Sequence, residues 1–212
     1  MDIKTDNVTI QERSAWSQER YYSTLKPAAY GLWTGKLDTL AFAEMLEAAV
    51  IKGLSEAWYQ GAESVGVKRD ELTDDEITAM QTSVYEQLLF TRNLSDYIIS
   101  QDKSSGGLWS TVEIRLRMWA NKFTDFVNRG RVMSKLDQKL KWNYDAQKEH
   151  CEDCARLNNH IKRASQWRDW VAAGNEWPGG WRLQCHGIWC GCSLDPTDEP
   201  LSKGKLPNIV GK

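Results

Sequence analysis

The sequence predicts a mainly α-helical protein, in which a bundle of about three long helices precedes a small α+β module that a zinc ion staples together. Apolar residues recur every three or four positions over the middle of the 212-residue chain, which is the period of an amphipathic helix. All five cysteines fall between Cys151 and Cys192, after that period has ended. A helical region followed by a compact metal-binding module is therefore the expected architecture.

The chain divides into four predicted segments: an extended arm over residues 1–36, a helical region over 37–138, a Cys-rich zinc-binding module over 139–195, and a flexible tail over 196–212. The arm is polar and mixed, its aromatic residues follow no clean period, and Pro27 interrupts any long helix. We expect a partner to order it. The tail is rich in Pro, Lys and Gly and is expected to be disordered or ordered by a partner.

Three amphipathic helices are predicted in the helical region. The first runs from Asp38 to about Glu63. The second starts with a capping box, in which the Thr73 hydroxyl and the Glu76 carboxylate satisfy free backbone amides, and it runs toward Gln101 with a break near residue 93.

The third helix follows a turn at residues 104–107, begins at Leu108 and ends near Gly130 or Met133. Amphipathic helices joined by short turns cannot each bury an apolar stripe alone. We therefore expect the three helices to pack as a bundle.

The Cys-rich module combines short strands with one short helix. Apolar alternation predicts strands over residues 140–144, 181–185 and 188–194. An Asn-rich reversal is expected over 157–161, because Asn tolerates the left-handed conformation, and a helix over 165–171.

The cysteine spacing is typical of a tetrahedral zinc site. Cys151-x-x-Cys154 is followed by Cys185 and by Cys190-x-Cys192, whose side chains share one face if the segment is extended. A closed structural site takes four ligands, so five thiols leave one to spare. The candidate ligands are any four of Cys151, Cys154, Cys185, Cys190 and Cys192, with His186 as an alternative to one of them.

Two other interpretations of the cysteines are less favoured. Disulfides suit small secreted domains, whereas an odd cysteine count and a long helical region indicate a reduced, cytosolic history. Buried cysteines acting as small apolar residues explain single positions better than two close-set pairs. A closed thiolate site would hold the fold together without chemistry, and His150 is expected to lie beside it rather than to bind the ion.

Composition narrows the function classes. The net charge of −2 and the pI of about 6.0 predict no general affinity for nucleic acid or anionic membranes, and no apolar run is long enough to span a bilayer. A basic stretch over residues 113–141 is expected to be a solvated helix face rather than a DNA-binding surface. Six of the eleven Trp surround the cysteines and are expected to pack a small core, with base stacking as the alternative.

Three classes of function follow from these features. The preferred one is a non-enzymatic structural protein, because the sequence lacks a nucleotide-binding Gly-rich loop and a Gly-x-Ser-x-Gly elbow, and has only three histidines. The first alternative is a zinc-ribbon-like nucleic-acid-binding protein that uses the basic stretch on phosphates. The second is a metalloenzyme whose zinc keeps an open position for water.

Several short motifs resemble the C-terminal part of phage head-morphogenesis proteins, the Mu F-like minor head proteins of tailed bacteriophages. The likeness covers roughly residues 37–200. The C-terminal motifs that carry it are Lys141-Trp142, Glu149-His150-Cys151-x-x-Cys154, Leu157-Asn158-Asn159, Ala164-Ser165-x-Trp167, Leu183-x-Cys185, Cys190-x-Cys192-x-Leu194 and Pro196-Thr197-Asp198-Glu199-Pro200. The upstream motifs, which resemble the helical region of those proteins, are Glu71-Leu72-Thr73-Asp74-Asp75-Glu76, Gly106-Gly107-Leu108 and Trp119-x-Asn121. Many members have a His three residues before the last Cys-x-Cys, where this chain has Gly187; that departure favours Cys185 or His186 as the fourth ligand.

The resemblance implies a minor capsid protein of the virion, present in the host cytoplasm during assembly and in the phage head afterwards. Its implied partners are the portal and major capsid proteins within a multi-subunit assembly, and in some members packaged DNA. No enzyme activity and no membrane partner are implied.

Overall fold

A computed structural model describes residues 16–147, 149–187 and 190–210 of the chain. It confirms a mainly helical protein with a small three-stranded sheet and a cysteine cluster toward the C-terminus. The helices before the sheet are α1 (Gln18–Trp33), α2 (Thr39–Ser64), α3 (Asp74–Leu88), α4 (Thr91–Ser100) and α5 (Trp109–Ser134). In the described part of the chain, every helix is too short or too polar to cross a lipid bilayer.

Helices α2 and α5 form the centre of the helical region, and α1 packs against both. The backbones of α2 and α5 come into close contact at Gly61 and Gly130. A Cβ atom at Gly61 would stand 2.1 Å from the Val127 carbonyl oxygen, and one at Gly130 would stand 2.2 Å from the Trp58 carbonyl oxygen. Because backbone cannot move aside as a side chain can, this crossing requires glycine on both helices.

The prediction of an extended arm over residues 1–36 is wrong for the described residues. Residues 18–33 form helix α1, which begins at a Ser17 cap whose hydroxyl accepts from Arg20 N at 3.1 Å. Its buried positions repeat at helical spacing: Tyr21, Leu25, Ala28, Ala29 and Leu32. Pro27 lies inside the helix and removes one backbone donor, but burial of this stripe outweighs that loss. Residues 1–15 lie outside the described part.

The second predicted helix is two helices. The capping box at its start is confirmed: Thr73 Oγ accepts from Glu76 N, and the Glu76 carboxylate accepts from Thr73 N at 2.7 Å. Helix α3 then ends at Leu88, and α4 begins at Thr91 rather than near Asn93. The third predicted helix, α5, runs past Gly130 and ends at Ser134.

The C-terminal module contains β1 (Lys139–Asn143), α6 (Glu152–Leu157), β2 (Ile161–Arg163), α7 (Ala164–Ala172) and β3 (Ser193–Pro196). The sheet order is β2-β1-β3 and both pairings are antiparallel, with Leu140 opposite Lys162 and Trp142 opposite Leu194. The predicted strand at 140–144 and the left-handed reversal, at Asn159, are confirmed.

The predicted strand over residues 181–185 is wrong, because this segment is a series of turns. It ends at His186 and Gly187, which have φ values of 51° and 69°. His186 N also donates to the Leu183 carbonyl at 2.7 Å, which closes a turn that begins inside the predicted strand. The strand predicted over 188–194 is observed only from Ser193, and residues 188–189 lie outside the described part.

The prediction of a flexible tail is also wrong for its described residues, 196–210. The tail lies along the module: Ser202 N donates to the Ile161 carbonyl at 2.9 Å, and the buried Lys162 ammonium donates to the carbonyls of Ser202 and Gly204 at 2.7 Å. Further on, Pro207 O accepts from Trp170 Nε1 at 3.1 Å. These contacts cover the free edge of β2.

Candidate metal centre

The thiols reach one place from three backbone segments. Cys151 is the N-terminal cap residue of α6 and Cys154 lies in its first turn, so the two share one face of the helix. Cys185 lies in the turn segment beyond α7. Cys190 and Cys192 directly precede β3, which pairs with β1.

Hydrogen bonds fix the turn segment of Cys185 to the start of α6. The buried Asp153 accepts from Gln184 N at 2.9 Å, and Glu152 N donates to Gln184 Oε1 at 3.0 Å. Asp153 also accepts from Val210 N at 2.6 Å, which brings the tail to the same point. Asp153, the second of two acidic residues inside the Cys-x-x-Cys sequence, thus positions Cys185. The sequence alone did not indicate this role.

The sulfur atoms form two sets of three that share Cys154. Cys151, Cys154 and Cys185 make one set, and Cys154, Cys190 and Cys192 make the other; within each set all sulfurs lie within 4.8 Å of one another. The distance from Cys154 Sγ to Cys190 Sγ is 3.9 Å. All five predicted ligands are therefore brought together, and Cys154, which is 1% exposed, lies between the others.

Hydrogen bonds among the sulfurs shift the pKa of several thiols in opposite directions. Hydrogen bonding with Cys151, then with the other three cysteines, raises the pKa of the Cys154 thiol, and burial adds to this. Hydrogen bonding from Cys154 and then Cys190 lowers the pKa of Cys192 to about 5. The pKa of Cys185, hydrogen-bonded first to Cys151, and that of Cys190, hydrogen-bonded first to Cys154, are also lowered. The hydrogen bonds thus favour the thiolate at Cys192 and the protonated thiol at Cys154, so a metal bound by Cys154 must displace its proton.

The cysteines share one apolar core with buried tryptophans. Trp142 and Trp167 are fully buried with ring centroids 5.7 Å apart, and Trp170 packs edge-on to both. Among the described residues, Trp142 Nε1 has no partner within ordinary hydrogen-bond limits, yet its N–H contributes to the lowered pKa of Cys192. The expectation that these rings pack the core is confirmed for Trp142, Trp167, Trp170 and Trp177, and it is wrong for Trp181, which is 58% exposed. Residue 189 lies outside the described part.

Neither neighbouring histidine joins the two sulfur sets. His186 is exposed, and its Nδ1 lies 3.0 Å from the Trp181 carbonyl oxygen. His150 stacks on Tyr144 with ring centroids 4.0 Å apart, and its Nε2 lies 2.6 Å from the Asp145 carbonyl oxygen. In the described part of the chain, both sets consist of cysteine sulfur alone.

This donor set fits zinc. A tetrahedral ion with Zn–S bonds of about 2.3 Å places its sulfurs roughly 3.8 Å apart, and the Cys154–Cys190 distance is 3.9 Å. No four of the described sulfurs lie within 4.8 Å of one another, so a four-coordinate zinc would draw a sulfur of one set toward the other. Held in this way by Cys154 and three of the other four thiolates, a structural ion would cross-link α6 to the segment before β3.

Five of the eight cations in the basic stretch over residues 113–141, which spans most of α5 and the start of β1, pair with carboxylates. The pairs are Arg117 with Glu113 at 3.7 Å, Lys122 and Arg129 with Asp125 at 3.5 and 3.0 Å, Arg131 with Asp195 at 2.8 Å, and Lys141 with Glu199 at 2.9 Å. Burial alone would raise the pKa of Asp125, but the charges of Arg129 and Lys122 hold it below its ordinary value. Paired cations release few counterions, so this face is poorly suited to phosphate.

A cleft of about 550 Å³ lies between the α3–α4 junction, α5 and residues 179–187. Two large apolar side chains of the junction are exposed at its edge, Leu89 by 62% and Phe90 by 54%. The sequence offered little sign of this cleft, because it depends on the break between α3 and α4.

Comparisons with protein-family models, with curated proteins and with solved structures found no match to this chain. The likeness to phage minor head proteins therefore depends on the short motifs alone.

Proposed function

We propose that this chain is a non-enzymatic structural protein, stabilised by one zinc ion, that acts in the assembly of a phage head. The observation that carries the proposal is the convergence of five cysteine sulfurs, from three backbone segments, in an apolar core that they share with buried tryptophans. Such a centre joins segments that contribute little core of their own.

The donor set favours a structural ion over a catalytic one. A catalytic zinc keeps three protein ligands and one position for water, whereas this centre offers more thiolates than a closed zinc needs. Zinc bound here would supply a cross-link. The chain's own residues position the ligands: Asp153 holds the Gln184 backbone, and the pairing of β1 with β3 holds the approach of Cys192.

The resemblance adds the biological setting: a minor capsid protein of the virion, assembled in the host cytoplasm, with portal and major capsid proteins as partners. An exposed apolar surface supports a role in a multi-subunit assembly. Leu89 and Phe90 project beside the cleft, and large exposed apolar side chains at a concave surface mark protein contacts.

Incorporation into heads during infection tests this proposal. Phe90→Ser should leave zinc content and folding unchanged but reduce the copies of the chain per head. Ile114→Ser is the matched control, because Ile114 is 56% exposed on α5 and does not line the cleft. Cys154→Ser should lose zinc and be absent from heads.

Two results would contradict the proposal. One is a chain that never copurifies with heads. The other is tight binding to DNA that weakens steeply with salt, which would support the nucleic-acid-binding alternative.

A further inference from the structure

We infer that the five thiols form a second kind of metal site, which binds two monovalent soft ions such as Cu(I), bridged by the sulfur of Cys154. The inference rests on the proposed function only in using the same thiol cluster. Thiolate donors select soft ions such as Cu(I) as well as zinc. Among the described residues, the two sets contain no oxygen or nitrogen donor that would favour a harder ion.

The number of sulfur ligands distinguishes binding of one zinc from binding of two Cu(I). One four-coordinate zinc leaves a thiol unused, whereas two three-coordinate ions that share a sulfur use all five. The structure has this second arrangement: two sets of three sulfurs with Cys154 in both. At metal–sulfur distances of about 2.3 Å, three sulfurs around one ion stand roughly 4 Å apart, and Cys154 and Cys190 are 3.9 Å apart.

Charge and protons balance without an oxidant. Copper remains Cu(I) when it binds. Thiols that are still protonated release their protons to the buffer. Five thiolates and two monovalent ions leave three negative charges. Cys151, Cys185 and Cys190 are half-buried rather than enclosed, so solvent reaches part of the cluster and screens that charge.

The two sets are held by different parts of the chain, so they can be lost separately. Cys185 reaches the first set through the hydrogen bonds of Gln184 to α6. Cys190 and Cys192 reach the second set through the segment that leads into β3. Removing Cys185 should therefore abolish one ion and spare the other, whereas removing Cys154 should disrupt both.

Metal titration of the full, reduced, metal-free chain under anaerobic conditions tests the inference. Cu(I) is supplied as its bicinchoninate complex, and native mass spectrometry counts the bound ions. We expect two Cu(I) per wild-type chain, one for Cys185→Ser and two for the control His186→Asn, which changes the neighbour of Cys185 but no sulfur and keeps a residue that tolerates the left-handed backbone. Cys154→Ser should bind fewer than two ions, because its loss leaves two sulfurs in each set.

Saturation at one Cu(I), or two ions retained by Cys185→Ser, would overturn the inference. A parallel titration with Zn(II) separates this failure from that of the proposed function. One zinc with one Cu(I) leaves the structural zinc intact and removes only the dinuclear site. Two Cu(I) with no zinc bound would support the inference and contradict the zinc-stabilised assembly protein.

Discussion

Replacing Asn128 with alanine should uncouple the helical region from the C-terminal module. Asn128 on α5 is fully buried, and its Oδ1 accepts from Leu194 N at 2.9 Å while its Nδ2 donates to Pro178 O at 3.4 Å. The variant loses these two bonds and a third, in which Asn128 Oδ1 accepts from the Arg131 guanidinium at 3.5 Å, and it leaves the Leu194 amide buried without its acceptor. Stranding such a group costs about 1–3 kcal/mol, so with the lost bonds we expect roughly 2–3 kcal/mol.

Urea denaturation at saturating zinc, followed by far-UV circular dichroism and by tryptophan fluorescence, measures this loss. The two signals should coincide in the wild-type chain. In the variant the fluorescence should gain an earlier phase that the dichroism lacks, because six of the eleven Trp belong to the module whereas the helices dominate the dichroism. Asn93→Ala is the matched control, since Asn93 is exposed on α4. A free energy of unfolding within about 0.5 kcal/mol of both wild type and control would refute the role given to Asn128.

Three further changes test the packing, a buried charge and a helix start. Gly61→Ala should destabilise the chain by more than about 2 kcal/mol, despite better helix propensity, whereas Gly31→Ala meets only the movable Leu37 side chain; equal melting temperatures would contradict the close crossing. Burial, followed by the charge of Asp125, raises the pKa of Glu176, so its ionisation weakens the fold as pH rises through that pKa. Glu176→Gln should therefore raise the melting temperature at pH 8 but not at pH 4. A gain at pH 4 alone would contradict a raised pKa for Glu176. Thr73→Ala should cost about 1 kcal/mol and Thr73→Ser almost nothing; no loss in the alanine variant would mean that the cap adds no stability.

Local signals in the sequence predicted the elements whose causes are local. The capping box at Thr73 lies within four residues, and the alternation that predicts β1 lies within five. The cysteine spacing likewise predicted which thiols converge. It could not identify the central one, because Cys154 owes that position to the approach of two separate segments.

The errors have nonlocal or backbone causes. Helix α1 was missed because Pro27 and the irregular aromatic spacing obscured a stripe that includes Leu25 and two alanines. The tail was predicted to be flexible from its content of Pro, Lys and Gly. That composition does not reveal contacts made through backbone carbonyls, as where the Lys162 ammonium donates to Ser202 O and Gly204 O. A carbonyl is present at every residue, so its partner leaves no trace in the composition.

X-ray absorption at the zinc edge, on the purified full-length chain, tests the central claim most directly. The account predicts one zinc per chain with four sulfur neighbours at about 2.3 Å and no oxygen or nitrogen in its coordination shell. A zinc with three sulfurs and a light atom would contradict the closed structural site and favour the metalloenzyme. A folded chain that binds no zinc would contradict the stapled module itself.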